Sequence, residues 1–281
     1  MKQYFSILTP HMQIEKIYNK VAKTYNQDAS GKVLDISKRR ALELALSECG
    51  SLQSILALGM GDGTDLLPYK EHYPQAEFHG LDISENMLEK AKDILECKTY
   101  HGNITKASAI IEKRDFDFII AHFVTAYVPL PDILSECKKL IAKNGLISIV
   151  TNTMASFPVA QSLIPTLQKS SNPFDKLVAC HVRKILKTVY VPQDLNQLQA
   201  LIEANGFKVK ATTEKDIELD FTTEKDVYDF LIDGGWFVSG LSFPLLPQNL
   251  LRKICGQLVH RHFPIPYKDT MKIAIAIAEP K

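Results

Sequence analysis

The chain has 281 residues, 46% of them hydrophobic and 23% charged, with a formal net charge of +1. This suits a globular protein with a sizeable core, built as one large domain or as a domain with an inserted cap. The balanced charge disfavours a nucleic-acid partner. Five scattered cysteines (Cys49, Cys97, Cys137, Cys180, Cys255) include no C-x-x-C pair, which argues for reduced thiols and against a disulfide framework or a zinc site. No apolar run reaches membrane-spanning length and no secretory signal pattern opens the chain, so the expected location is the cytoplasm.

Ile14, Ile17, Tyr18, Val21, Ala22 and Tyr25 recur at helical spacing, and a second helix is expected over about 34–47. Ile55-Leu56-Ala57-Leu58 then reads as a short buried strand. Gly59, Gly61 and Gly63 follow at alternate positions, and a helix-like run starts at Thr64. A strand, a glycine turn and a helix in this order let backbone approach a ligand closely and aim helix N–H groups at it. The spacing is G-x-G-x-G. The dinucleotide fingerprint would need glycine at 64, which disfavours a nicotinamide oxidoreductase, and a phosphate loop would need a lysine that Asp62-Gly63-Thr64 lacks. A purely structural turn is the competing reading.

Glu77 to Leu81 reads as the next strand, ending at Asp82. That carboxylate lies roughly 20 residues beyond the glycines, where it can accept hydrogen bonds from ribose hydroxyls; its plainer reading is a turn residue. Ser84 is placed to cap a helix whose apolar face is Met87, Leu88, Ala91, Ile94 and Leu95. Lys98–His101 and Phe116–Ala121 read as strands three and four, a helix runs from Pro131 to about Ala142, and Leu146–Thr151 is strand five. His122, just past strand four, lies where open α/β sheets bind ligands. It could orient a nucleophile or take its proton, or be a buried histidine satisfied by backbone.

Residues 152–191 read as a helical insertion over the cleft. A helix then runs from Pro192 to Gly206, strand six starts at Phe207, and a second apolar insertion spans about 222–265. Met271–Ala278 closes the sheet. Phe230, Leu231, Trp236, Phe237, Phe243 and Leu245 fall in the second insertion; these aromatics are either core residues or a pocket lid. His181, Arg183 and Tyr190 are polar candidates in the first.

Ala57-Leu58-Gly59-Met60-Gly61-Asp62-Gly63, followed by Gly80-Leu81-Asp82-Ile83-Ser84-Glu85-Asn86-Met87-Leu88, resembles the class I S-adenosylmethionine-dependent methyltransferases. Gly102-Asn103-Ile104, Phe116–Ala121 and Leu140–Gly145 follow in that family's order, and the likeness covers about residues 15–151 well. It implies a Rossmann-like α/β fold: a seven-stranded, mostly parallel sheet with an antiparallel last strand, helices on both faces and helical cap insertions. The implied division is N-terminal lid helices over 1–50, a cofactor-binding core over 51–151, a cap over 152–191 and the rest of the core over 192–281.

The implied cofactor is S-adenosyl-L-methionine, held by Tyr18, Tyr25, Gly59, Met60, Gly61, Gly63, Asp82, Ile83, Met87, Asn103, Ile104, Ala121, His122 and Phe123. The amide of Asn103 stands where the family most often has Asp and still offers the adenine an acceptor. Tyr18-Asn19-Lys20-Val21-Ala22-Lys23-Thr24-Tyr25 resembles the lid of small-molecule members. His122, Tyr25 and Tyr127 are the catalytic candidates, and His181, Tyr190, Trp236 and Phe237 the substrate-binding ones. The implied reaction is in-line methyl transfer to a small or carrier-linked molecule, as in the biotin-pathway malonyl-carrier-protein and quinone methyltransferases. A tRNA or protein substrate, and a catalytically weak ligand-binding regulator, are the alternatives. One departure stands out: the family's acidic residue two positions before the first glycine is Ala57 here, and Asp62 or Asp65 could compensate.

Overall fold

The computed structural model describes residues 10–187, 189–236 and 248–281. Two helices lead in, α1 (Pro10–Val21) and α2 (Asp28–Leu46). Apolar spacing alone would carry the first through Tyr25, but it stops at Val21, so Tyr25 lies in the turn between the two. The second starts earlier than expected, at Asp28.

Seven strands form one sheet: β1 (Ser54–Leu58), β2 (Glu77–Asp82), β3 (Lys98–His101), β4 (Phe116–His122), β5 (Ile141–Asn152), β6 (Phe207–Phe221) and β7 (Tyr267–Pro280). Their spatial order is 3-2-1-4-5-7-6. The first five are parallel, and β7 runs antiparallel to both β5 and β6. The fold is therefore the mostly parallel, Rossmann-like α/β sheet expected. The order reverses between β1 and β4, and a crevice opens beyond the carboxyl ends of strands at such a switch point.

Both faces of the sheet are covered, which is why β1 is buried at every position and reads as an unbroken apolar run. Alternate residues serve opposite layers. Leu56, Leu58, Ile119 and Ile147 pack with Ile133 and Leu134 of α6 (Leu130–Leu140) and with Leu198 and Ile202 of α9 (Leu195–Ala204). Ile55, Ala57, Phe118 and Ile120 pack on Ala45 of α2 and Tyr69 of α3 (Leu67–His72). Leu88 and Ala91 of α4 (Glu85–Ile94) complete that layer. The run expected to be helical from Thr64 begins as a 3-10 turn (Thr64–Leu66) and becomes helical at Leu67. A one-turn helix, α5 (Ala107–Ile110), links β3 to β4.

Two further helix boundaries differ from the sequence reading. Helix α6 ends at Leu140 because Ile141 pairs with Phe116; the register then shifts so that Leu146 pairs with Phe118. Helix α9 starts at Leu195 and not at Pro192, because the Asp194 carboxylate caps it by accepting the Gln197 N–H at 2.9 Å.

Between β5 and α9 lie α7 (Pro158–Lys169) and α8 (Pro173–Leu186). The Asp269 carboxylate anchors the start of α7 to β7, accepting the N–H groups of Val159 (3.2 Å) and Ala160 (2.9 Å). Between β6 and β7 come α10 (Glu224–Tyr228), a π-helical turn (Asp229–Asp233) and α11 (Gln248–His262). Asp175 of α8 accepts from His262 of α11 at 2.9 Å and pairs with Arg261 at 3.0 Å, tying the two insertions together. No described helix is long and apolar enough to cross a membrane.

Gly145 sits in the register shift of β5. A Cβ there would lie 2.6 Å from Ile141 Cγ1 and 2.7 Å from the Phe116 carbonyl oxygen, and backbone cannot yield as a side chain can. Gly145→Ala should therefore cost about 1–3 kcal/mol and lower Tm by several degrees. An unchanged melting curve would contradict this packing.

Candidate active site

The glycine turn is fastened to the end of β2 by a network centred on Asp82. Gly59 and Met60 donate their N–H groups to the Leu81 carbonyl at 2.7 and 3.1 Å. Gly61 N–H donates to Asp82 Oδ2 at 2.9 Å, and Ser84 N–H to Asp82 Oδ1 at 2.8 Å. Asp82 is only 7% exposed. Burial pushes its carboxyl up, against the pull of the Ser84, Gly61 and Ile83 N–H groups. Ser84 caps α4 by accepting the Met87 N–H at 3.2 Å.

The glycines differ in purpose. A Cβ on Gly59 would strike Val124 Cγ1 at 2.3 Å, and one on Gly63 would crowd Ala91 Cβ at 2.9 Å, so these two serve packing. Gly61 has φ 55°, and a Cβ there would meet only Tyr25 Cε1, at 3.6 Å. Its bare backbone faces the Tyr25 ring. Met60 is buried, its thioether filling the notch over Gly80.

The segment joining α1 to α2 lies across this turn. Asn26 Nδ2 donates to Thr64 Oγ1 (3.2 Å), Lys90 Nζ to the Ala22 carbonyl (2.6 Å), and Ser84 Oγ to Asn19 Oδ1 (2.7 Å). Beneath it Val21, Ala22 and Met87 form a small cluster on which Tyr18 and Tyr25 pack. Tyr18 stands edge-on to Tyr25 (6.0 Å) and to Tyr127 (5.6 Å), and its hydroxyl meets that of Tyr127 at 2.7 Å. Burial raises all three phenols, that of Tyr127 to about 12; the carboxylates of Asp65 and Asp62 raise Tyr25 further. At neutral pH they are hydrogen-bond donors and not bases.

His122 is buried with both ring nitrogens engaged, Nδ1 with Asp65 Oδ2 (3.2 Å) and Nε2 with Ser148 Oγ (2.9 Å). The imidazole is thus held at both ends, and it links Asp65 to Ser148 across the end of β4. Ser148 is the member the sequence reading missed; its signal was a lone hydroxyl inside an apolar strand. Ala57 is buried between Gly80 and Ile120, with no carboxylate of its own.

The other expected ligand contacts divide. Ile104 borders the glycine turn, its Cδ1 3.4 Å from where a Gly59 Cβ would stand. Asn103 Oδ1 already accepts the N–H (3.0 Å) and hydroxyl (3.1 Å) of Thr105, so the acceptor expected to read adenine is spent on a helix cap. The Ile83 carbonyl meets His101 Nε2 at 2.9 Å. Ala121 and Met87 are fully buried in the core. Phe123 holds a left-handed backbone (φ 55°) just past β4, a conformation costly for a bulky residue and concentrated at functional sites.

From Phe123 and the tyrosines a cavity of about 580 Å³ extends under the cap, lined mostly by apolar side chains of α7, α8, α11 and the segment after α10. Trp236 lines it, donating its indole N–H to Ser30 Oγ at 3.1 Å. Tyr190 is half exposed and outside the lining, although its neighbours Val189 and Val191 belong to it. Arg183 is exposed on α8. The side chain of His181, and Phe237, Phe243 and Leu245 entirely, lie outside the described residues.

The phenol shifts fix an alkaline response. A group whose pKa is raised on folding stabilises the fold fully below its unfolded value, and that contribution is lost as pH rises through the folded one. Thermal stability should therefore fall between about pH 10, the ordinary tyrosine value, and pH 12. Tyr127→Phe should show a shallower fall over that window; an unchanged slope would contradict the buried tyrosine pair.

Comparison with known proteins gives a family likeness and a shared fold. The methyltransferase domain family model matches residues 55–145, from β1 to the register shift of β5. An uncharacterised protein of Rickettsia prowazekii (strain Madrid E) is 27% identical over 132 residues, 44% of this chain but 24% of that protein. The demethylmenaquinone methyltransferase of Staphylococcus aureus (strain JH9) is 25% identical over 176 residues, 59% of this chain and 72% of the enzyme. The chain thus spans about a quarter of the first relative's length and under three quarters of the second's. Among solved structures, geranyl diphosphate C-methyltransferase from Streptomyces coelicolor A3(2), in complex with Mg2+, geranyl diphosphate and S-adenosyl-L-homocysteine, superposes with TM-score 0.52 at 10% identity, covering 98% of this chain and all of that one. Residues 55–145 thus match the methyltransferase domain family, and the seven-stranded sheet that carries them shares its fold with that enzyme.

Proposed function

We propose that the chain is an S-adenosylmethionine-dependent methyltransferase acting on a small molecule. The observation that carries the reading is the buried Asp82 carboxylate beside the bare backbone of Gly61. An ionised carboxylate offers about four acceptor positions. Asp82 uses one on each oxygen for Gly61 and Ser84, and the Ile83 N–H also faces it, which leaves an acceptor for a ribose hydroxyl. The donor set therefore fits an adenosyl group, with Ile104 as an apolar wall.

Ala57 leaves the ligand's amino end without the carboxylate usual in the resembling family. Asp65, held by the His122–Ser148 chain at the end of β4, is the replacement: it lies in the turn that follows the glycines and is fixed in orientation. When bound, the cofactor supplies an already activated methyl on a sulfonium, so the protein's task is alignment and exclusion of water. Tyr18, Tyr25 and Tyr127 do both, closing the space above Gly61 and offering neutral O–H groups to orient an acceptor. A free acceptor and a carrier-linked one meet the same requirement, that the reactive end reach these tyrosines. Residues 1–50 then act as the lid and 152–191 with 222–265 as the cap. The free thiols of Cys49, Cys97, Cys137 and Cys180 support a reducing, cytoplasmic setting.

Calorimetry with S-adenosylmethionine and S-adenosylhomocysteine should show one saturable site. Loss of a charge-assisted hydrogen bond is worth about 1.5–3 kcal/mol, so Asp82→Asn should weaken binding at least tenfold, and Asp65→Asn should act likewise. No saturable binding by the folded protein would refute the reading.

A further inference from the structure

The cavity under the cap is larger and drier than a methyl acceptor of metabolite size requires. At about 30 Å³ per non-hydrogen atom, the share of one water in the liquid, its roughly 580 Å³ hold about twenty such atoms. Leu163 and Leu167 of α7, Val178, Val182 and Leu186 of α8, and Phe230 give its walls an aliphatic and aromatic surface. No lysine, arginine, aspartate or glutamate is among the described lining residues. The one imidazole among them, that of His262, is turned to Asp175. A carboxylate or diphosphate would lie there without a counter-charge, and burying an unpaired anion is strongly unfavourable. Polar lining comes instead from Tyr18, Tyr25 and Tyr127, from Asn152 and Thr153 at the carboxyl end of β5, from Tyr267, and from Ser156 and Gln161, whose hydroxyl and amide N–H groups are bonded to backbone carbonyls. The cavity thus has one polar end, beside the glycine turn, and a long apolar body.

We propose that this cavity binds an uncharged molecule with a long apolar chain, its polar end at the Tyr18–Tyr127 pair and its chain between α7, α8 and α11. Only the role of that molecule as the methyl acceptor rests on the preceding reading; chain binding stands on the cavity itself.

Trp236 is the chain's single tryptophan. It lines the cavity, stacks on Phe230 (5.7 Å between centroids, 10° between planes) and meets Phe123 edge-on at 5.2 Å, so its emission reports occupancy. The full chain should be titrated with n-alkan-1-ols from hexanol to docosanol and with fatty acids of matching length. Affinity for the alcohols should rise about fourfold per added methylene until the chain outgrows the cavity, with each fatty acid at least tenfold weaker. Farnesol against dodecanol separates an isoprenoid from a straight chain; tighter binding of one names the source. Ala160→Phe or Val178→Phe, checked by melting, should shift the cutoff to shorter alcohols. Affinity independent of chain length, or equal for alcohols and carboxylates, overturns the proposal. Length-dependent binding by a protein that ignores S-adenosylhomocysteine supports the cavity assignment and removes methyl transfer; binding of S-adenosylhomocysteine without any alcohol does the reverse.

Discussion

A carboxylate taken out of water must be met by hydrogen-bond donors, and around Asp82 that requirement organises the site. Its two oxygens gather the N–H of Gly61 from one strand–helix turn and the N–H of Ser84 from the next. Because β1 and β2 are adjacent and parallel, the same residue that ends β2 fixes the bend after β1. The cost of burial, visible in the raised Asp82 carboxyl, is offset only in part by these bonds. A buried acceptor with capacity to spare is what a nucleoside's hydroxyls need.

Around this centre the structure separates two environments across a short distance. On one side are the bare Gly61 backbone and three carboxylates, Asp62, Asp65 and Asp82. On the other is a cavity whose described lining carries none. Tyr18, Tyr25, Tyr127 and Phe123 stand between them. Their polar tips and apolar rings suit that boundary. The left-handed backbone of Phe123 places its ring against Trp236, joining the end of β4 to the second insertion.

The sheet and the glycine turn were legible because their signals are local. An unbroken apolar strand, glycines at fixed offsets and Asp82 after the next strand are dictated by backbone geometry within about thirty residues. The Asp65–His122–Ser148 chain was not, since its members lie on three elements and none has an unusual neighbour in sequence. His122 drew attention by position alone, and only the partners of both its nitrogens show that it holds Asp65. The reach of α1 was misjudged because apolar spacing cannot tell a helix from a helix followed by a turn that packs on the same cluster. The cap cavity was legible as apolar composition without shape: Trp236 was a candidate, but Leu163, Val182 and Phe221 line the same space from distant segments.

The most direct measurement is a crystal structure of the protein with S-adenosylhomocysteine. The account predicts a ribose hydroxyl oxygen within hydrogen-bond distance of the Asp82 carboxylate, the ligand's chain over Gly61, and its sulfur facing the tyrosines at the mouth of the cap cavity. Density for the ligand anywhere else, or an Asp82 carboxylate turned away from it, would contradict the account.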